Sequence, residues 1–300
     1  MAKPRQAWLL DDQIRHNRKV TTRLFMVLFL ILFAIVFGVG YALGYPPLVT
    51  GPFALIFGLI YLASASSFSV DMILRSAGAR KPNPNKREEK LFMYSVEEMA
   101  IAAGIPTPRA FVQDRNDINA FATGRKPEEG VICITTGALK LLTKEEMEGV
   151  IAHEMAHIKN EDIRVGTYAV ALIGLIAMIG EIVFWSVFMG RGNNRNSNPV
   201  MIVVAIALAI LAPILSRMVY MAINRRREYL ADATGAKLTR NPEGLASALQ
   251  KISGMEPEPS HGDRTVASLY LANPFKRVRK ESIWSTHPPI DERIARLRRM

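Results

Sequence analysis

Between residues 24 and 70 the chain carries no charged side chain. About 20 apolar residues, rising 1.5 Å each, cross the hydrocarbon of a bilayer. The run is therefore long enough for two spans, with Gly44-Tyr45-Pro46-Pro47 as the turn between them. A cleaved signal peptide would have a shorter apolar core and a small-residue cleavage site. Here a second span follows at once, so both helices read as retained. Two further apolar runs follow: residues 165–190, interrupted only by Glu181, and residues 196–216, which contain Pro213. Glu181 reads as a polar contact between helices.

The charges fall beside these runs. Lys3, Arg5, Arg15, Arg18, Lys19 and Arg23 precede the first, Arg75, Arg80, Lys81, Lys86, Arg87 and Lys90 follow the second, and Arg217 and Arg225 to Arg227 follow the fourth. The positive-inside rule puts all three clusters, and both termini, in the cytoplasm. It also accounts for the net charge of +11, which in a soluble chain would raise the question of nucleic acid; basic residues interleaved with aromatics, which would suggest a stacking platform, are missing. Cys133 is the single cysteine, so a Cys-rich metal knuckle and an intrachain disulfide are excluded.

The expected organisation is a cytoplasmic N-terminus (1–23), a hairpin of two spans (24–70), a cytoplasmic part (71–164), a second hairpin (165–216) and a second cytoplasmic part (217–300). In the first cytoplasmic part, Ser95-Val-Glu-Glu98 has the form of a capping box opening a helix that Gly104 and Pro106 close. Three short strands are expected at 110–113, 118–123 and 131–135. Thr143-Lys-Glu-Glu146 is a second capping box, and the helix it opens carries His153, Glu154 and His157.

His153 and His157 stand at i and i+4, on one helix face, so both imidazoles can reach one ion. Glu154, rotated by about 100°, comes beside that ion rather than opposite it. This is the layout of a zinc hydrolase, with two His ligands and a carboxylate able to take a proton from activated water. A catalytic site needs a third protein ligand, and Glu228 is the strongest candidate. Asp232 follows it at i+4, placed to hydrogen-bond a ligand imidazole. Two expected spans lie between His157 and Glu228, which returns the chain to the side it left. An odd number would have separated the ligands.

The His-Glu-Met-Ala-His helix, the segment Arg227-Glu-Tyr-Leu-Ala-Asp232, Asn119-Ala-Phe-Ala122 and Thr286-His-Pro-Pro289 with Arg293 together resemble the HtpX family, membrane-embedded zinc metallopeptidases related to the CAAX prenyl proteases. The resemblance covers nearly the whole length. It implies an α+β membrane protein with four transmembrane helices and a cytoplasmic, gluzincin-like protease domain containing a small β-sheet. One zinc ion per chain would be held by His153, His157 and Glu228, with Glu154 as general base. His287 or Arg293 could supply an oxyanion donor, although Arg293, on an arginine-rich terminal helix, reads more readily as a solvated charge. Residues 118–123 look like an edge strand to which an extended substrate could add, with Asn119, Ala120 and Phe121 on the substrate side. The implied role is quality control at the cell membrane, with unfolded or damaged membrane proteins as substrates and the lipid bilayer and other quality-control proteases as partners. A prenyl-protein protease would have more spans, and a scaffold with a structural zinc site would be expected to have a closed, Cys-rich ligand set.

Overall fold

The structure, a computed structural model, describes residues 45–167, 225–255, 269–272 and 288–300, with scattered helical positions between 19 and 41; the side chains of residues 61, 62, 64–68, 225 and 226 fall outside this description. The chain divides into two compact units. One comprises residues 1–20, 70–167 and 223–300, the other residues 21–69 and 168–222.

The described part of the second unit is chiefly helix α1 (Pro47–Ser76), which belongs to it as far as residue 69. Leu48, Phe53, Ile56, Leu59 and Ile60 stand exposed on this helix. Gly58 makes room for the Phe29 ring, which a Cβ at that position would meet at 2.9 Å. No helix among the described residues is long and apolar enough to cross a membrane. Of the expected spans, residues 168–216 with Glu181, and all but scattered positions of 24–43, lie outside the described residues, as does His287.

The first unit is built on a four-stranded mixed sheet of β1 (Ala79–Arg80), β2 (Arg109–Gln113), β3 (Ala120–Thr123) and β4 (Val131–Thr135), in the order β1-β2-β4-β3. β2 and β4 are parallel, with Val112 opposite Ile134, and β3 runs antiparallel to β4, with Phe121 opposite Cys133. Every residue of β4 is buried, as expected of a central strand covered on both faces.

Helix α2 (Arg87–Ala103) starts nine residues before the expected position, with Lys86 rather than Ser95 at its N-cap. Ser95 is buried within it rather than capping it. The capping-box pattern was outweighed by a stripe of Phe92, Val96, Met99, Ala100 and Ala103, all buried, whose spacing of three and four is that of a helix face already under way. Gly104 ends the helix with a left-handed φ of 67°, where glycine has no Cβ penalty.

The start of α2 is tied to the sheet by Arg80. Its guanidinium forks onto Glu89, with both contacts at 2.9 Å, and its Nε and Nη2 donate to Asp114. The Arg80 guanidinium holds the Glu89 carboxyl at about 2, well below its ordinary 4.5. A depressed carboxyl contributes stability that is fully present above 4.5 and is lost as pH falls toward 2. Because the Arg80 side chain is 33% exposed, solvent screening reduces the contribution to about 1–2 kcal/mol. Thermal unfolding of Glu89→Gln is expected to show that deficit at pH 7, shrinking steadily below pH 4.5.

After the short helix α3 (Thr136–Leu141), Thr143 opens α4 (Lys144–Lys159) with both bonds of its capping box formed: Thr143 N–H to Glu146 Oε2 at 2.8 Å and Glu146 N–H to Thr143 Oγ1 at 3.3 Å. α4 is the hub of the unit, packed against α2, β3, α5 (Arg225–Thr239) and α6 (Pro242–Gly254). The last helix, α7 (Ile290–Leu297), packs on α5 and α6. Two glycines allow backbone-to-backbone approach of α4 and α6. A Cβ on Gly149 would stand 2.6 Å from Leu245 N, and one on Gly244 would stand 2.6 Å from Glu145 O.

Candidate metal centre

Eleven of the sixteen residues of α4 are buried, among them His153 and Glu154. α5 crosses this helix closely at His153, because a Cβ on Gly235 would lie 3.0 Å from the His153 amide nitrogen. Glu228, Asp232 and Gly235 are spaced i, i+4 and i+7, one face of a helix. The glycine brings that face down, and the two carboxylates arrive on the imidazoles.

His153, His157 and Glu228 each place one donor atom within 4.8 Å of the other two. The two Nε2 atoms are 3.2 Å apart, and the Glu228 oxygens lie 3.7 Å from His153 Nε2 and 3.5 Å from His157 Nε2. Each imidazole is held from behind by an acid. His153 Nδ1 is 3.0 Å from Asp232 Oδ1, and His157 Nδ1 is 3.2 Å from Asp162 Oδ2. A carboxylate at Nδ1 favours the Nδ1–H tautomer and leaves the lone pair on Nε2. Two such lone pairs and a carboxylate facing one another repel unless a proton or a cation stands among them. Two imidazoles and one carboxylate form the donor set of a catalytic zinc, so the residues present fit such an ion.

The electrostatics of the protein without metal agree with this. Burial acts to lower the pKa of His157, but Asp162, Glu228 and Glu154 outweigh it and raise the group to about 9. Burial lowers the pKa of His153 despite Asp232. Burial also dominates at Glu154, which is raised to about 7 against the pull of His157, Arg293 and an Ala122 N–H hydrogen bond. A carboxyl poised near neutrality is suited to general base and general acid work.

Asp162 was missed by sequence reasoning. Glu161, at φ 55°, turns the chain back after α4, so an acid five residues beyond His157 reaches its ring; Arg227 Nε lies 3.5 Å from the other Asp162 oxygen. An acid within a turn or so of the second histidine was the available signal.

Arg293 requires a correction. It is neither solvated nor free to meet a substrate, being wholly buried. Its Nε and Nη2 donate to the two oxygens of Asp232 at 2.9 and 2.7 Å, and its Nη1 lies 3.2 Å from Glu228 Oε2. It shares the buried stripe of α7 with Ile290, Ile294 and Leu297, a spacing that places it inward. β3 is covered along part of its outer edge. Asn119 and Ala120 hydrogen-bond residues 271 and 272, and the Phe121 ring is buried edge-on against Tyr270 at 5.1 Å. All three are buried.

The chain matches peptidase family M48 over residues 86–300. It is 42% identical over 255 residues to a Protease HtpX homolog of Streptococcus equi subsp. equi, covering 83% of this chain and 85% of that one. With a Protease HtpX homolog of Streptococcus gordonii the identity is 39% over 299 residues, 97% of this chain and 100% of the relative. Among solved structures, the crystal structure of S. mikatae Ste24p is similar in fold, with a TM-score of 0.51 and 18% identity over 95% of this chain and 66% of that one.

Proposed function

We propose, from the premise that this chain belongs to peptidase family M48 and is a metallopeptidase, that it is a zinc endopeptidase anchored in the cell membrane. His153, His157 and Glu228 hold the metal and Glu154 is the general base. The observation that carries this reading is the convergence of the two Nε2 atoms and the Glu228 carboxylate on one point, with the buried carboxyl of Glu154 adjacent in sequence to one of the ligands.

A zinc ion held by these donors would supply Lewis acidity, polarising the scissile carbonyl and acidifying water. Glu154 takes the proton of the attacking water on its carboxylate and returns it to the departing amine. Burial keeps the Glu154 carboxylate out of bulk water, and the Ala122 N–H faces it. Asp232 and Asp162 hold the imidazoles in the tautomer that offers Nε2.

Membrane anchoring is supported by the charge-free run of residues 24–70 and by the exposed apolar side chains of α1, which in water would form a costly patch. The basic flanks favour a cytoplasmic active site and cytoplasmic termini. Substrates are unfolded or damaged membrane proteins, a class suited to recognition of backbone rather than of sequence.

The test is proteolysis of an unfolded polypeptide by the purified protein, with zinc and after chelation. Cleavage should require the metal and return when zinc is restored to the chelated protein. Full activity in a protein verified to be metal-free would overturn the reading.

A further inference from the structure

The free edge of β3 is where an extended substrate would pair, and most of it is already taken. Asn119 C=O accepts from Thr135 N–H at 3.0 Å, and Phe121 and Thr123 stand opposite Cys133 and Val131. In an antiparallel ladder the alternate residues, Ala120 and Ala122, therefore turn their N–H and C=O groups outward. Ala120 N–H donates to Asn119 Oδ1 at 3.1 Å, and Ala120 C=O accepts from Leu271 N–H at 2.8 Å. Ala122 N–H faces the Glu154 carboxyl. Beyond the strand, Gly124 N–H donates to Thr167 Oγ1 at 3.1 Å, and Gly124 C=O accepts from the same hydroxyl at 2.9 Å. Of these outward groups, only those of Ala122 are taken neither by Asn119, nor by Leu271, nor by Thr167.

The segment beside Ala120 is locked in place. Asn119 clips Ala272 at both backbone groups, donating from Nδ2 to its C=O at 2.8 Å and accepting its N–H on Oδ1 at 3.2 Å. Tyr270 Oη donates to Gln113 Oε1 at 2.9 Å, and Tyr270, Leu271 and Ala272 are all buried. Leu271 and Ala272 belong to the same hydrophobic core as Ile118, Ala120 and Ala122. A segment so packed behaves as part of the fold rather than as a displaceable strap.

We propose that Tyr270-Leu271-Ala272, clipped by Asn119, is a fixed stop on the substrate edge. It limits main-chain pairing to Ala122, next to the base, and so determines how much extended substrate the enzyme reads on the Ala120 side. The inference rests on the peptidase reading above. Asn119 and Leu271 are then specificity-determining residues that touch no reacting atom.

The experiment uses the full-length protein and nested unfolded peptides lengthened one residue at a time on each side of the scissile bond. In the wild-type protein kcat/KM should stop rising on one side within a few residues. In Asn119→Ala/Tyr270→Ala, which loosens the stop, that plateau should move outward by about two residues, the strand repeat. The longest peptides should then gain about 2- to 10-fold, the worth of one added hydrogen bond. A wild-type protein with no plateau, or a folded double variant with an unchanged one, would overturn the stop. Hydrogen exchange at the Leu271 amide in Glu154→Gln, with and without saturating peptide, covers the case in which the double variant does not fold. Unchanged protection supports a fixed stop, and faster exchange on peptide binding overturns it. Absence of any cleavage by the zinc-loaded wild-type protein would instead sink the reading of the site itself, an outcome separable from cleavage without a plateau.

Discussion

Glu154→Gln is expected to lower kcat/KM against an unfolded polypeptide by about 10²- to 10⁴-fold, the range for loss of a positioned general base, with metal content unchanged. The glutamine keeps the size and planar shape of the carboxylate. The fold should therefore not register the change. Stability gives an independent check with a definite sign. In the metal-free protein burial holds Glu154 at about 7, above its ordinary 4.5. Ionising it thus costs the folded state, a penalty absent below pH 4.5 and fully present above pH 7. At pH 8 the metal-free glutamine variant should be at least as stable as the wild-type protein by thermal unfolding. Retained activity in a folded, metal-loaded variant would remove Glu154 from the chemistry. Lost activity with lost metal would make it a structural neighbour of the ligands.

The metal cluster was legible because its parts lie on helices with strong local signals. The Thr143 capping box fixes the start of α4 and so the face shared by His153 and His157, and Glu228 and Asp232 repeat the i, i+4 spacing on α5. What brings α5 to α4 is Gly235, and only the close approach to His153 reveals that glycine as a packing requirement. Asp162 escaped notice because its reach to His157 depends on a left-handed residue at Glu161, a conformation that no local propensity announces. The cover over β3 was hidden for a related reason. An edge strand is recognisable in sequence, but its occupation by residues more than a hundred positions later is a tertiary fact. The start of α2 shows the limit of motif reading, since a capping box can sit inside a helix whose apolar stripe has already begun.

Arg293→Met is expected to destabilise the protein by about 3–5 kcal/mol, the cost of removing one partner from a buried ion pair, and to weaken metal retention with it. Methionine restores much of the volume but leaves Asp232 and Glu228 without their guanidinium in a site that is almost wholly buried. Asp232 is held at about 2 although burial alone would raise it, because Arg293 and His153 pull it down. Without Arg293 the carboxyl regains a tendency to protonate, and its hold on His153 Nδ1 weakens. Arg293→Lys keeps the charge but cannot reproduce the fork onto both Asp232 oxygens, so it should fall between the wild-type protein and Arg293→Met. These effects separate a residue acting through Asp232 and Glu228 from one acting on the substrate. A direct oxyanion donor replaced by lysine would lower kcat while leaving unfolding temperature and metal affinity intact. Unfolding temperature and zinc content, measured on the same preparations, decide between the two. The double variant Arg293→Met/Asp232→Asn removes both charges of the closest pair. Its stability should exceed that of Arg293→Met, because the penalty of that single change lies in the charge left behind rather than in the bond lost. If the two changes were additive, the buried fork onto Asp232 would have no energetic role.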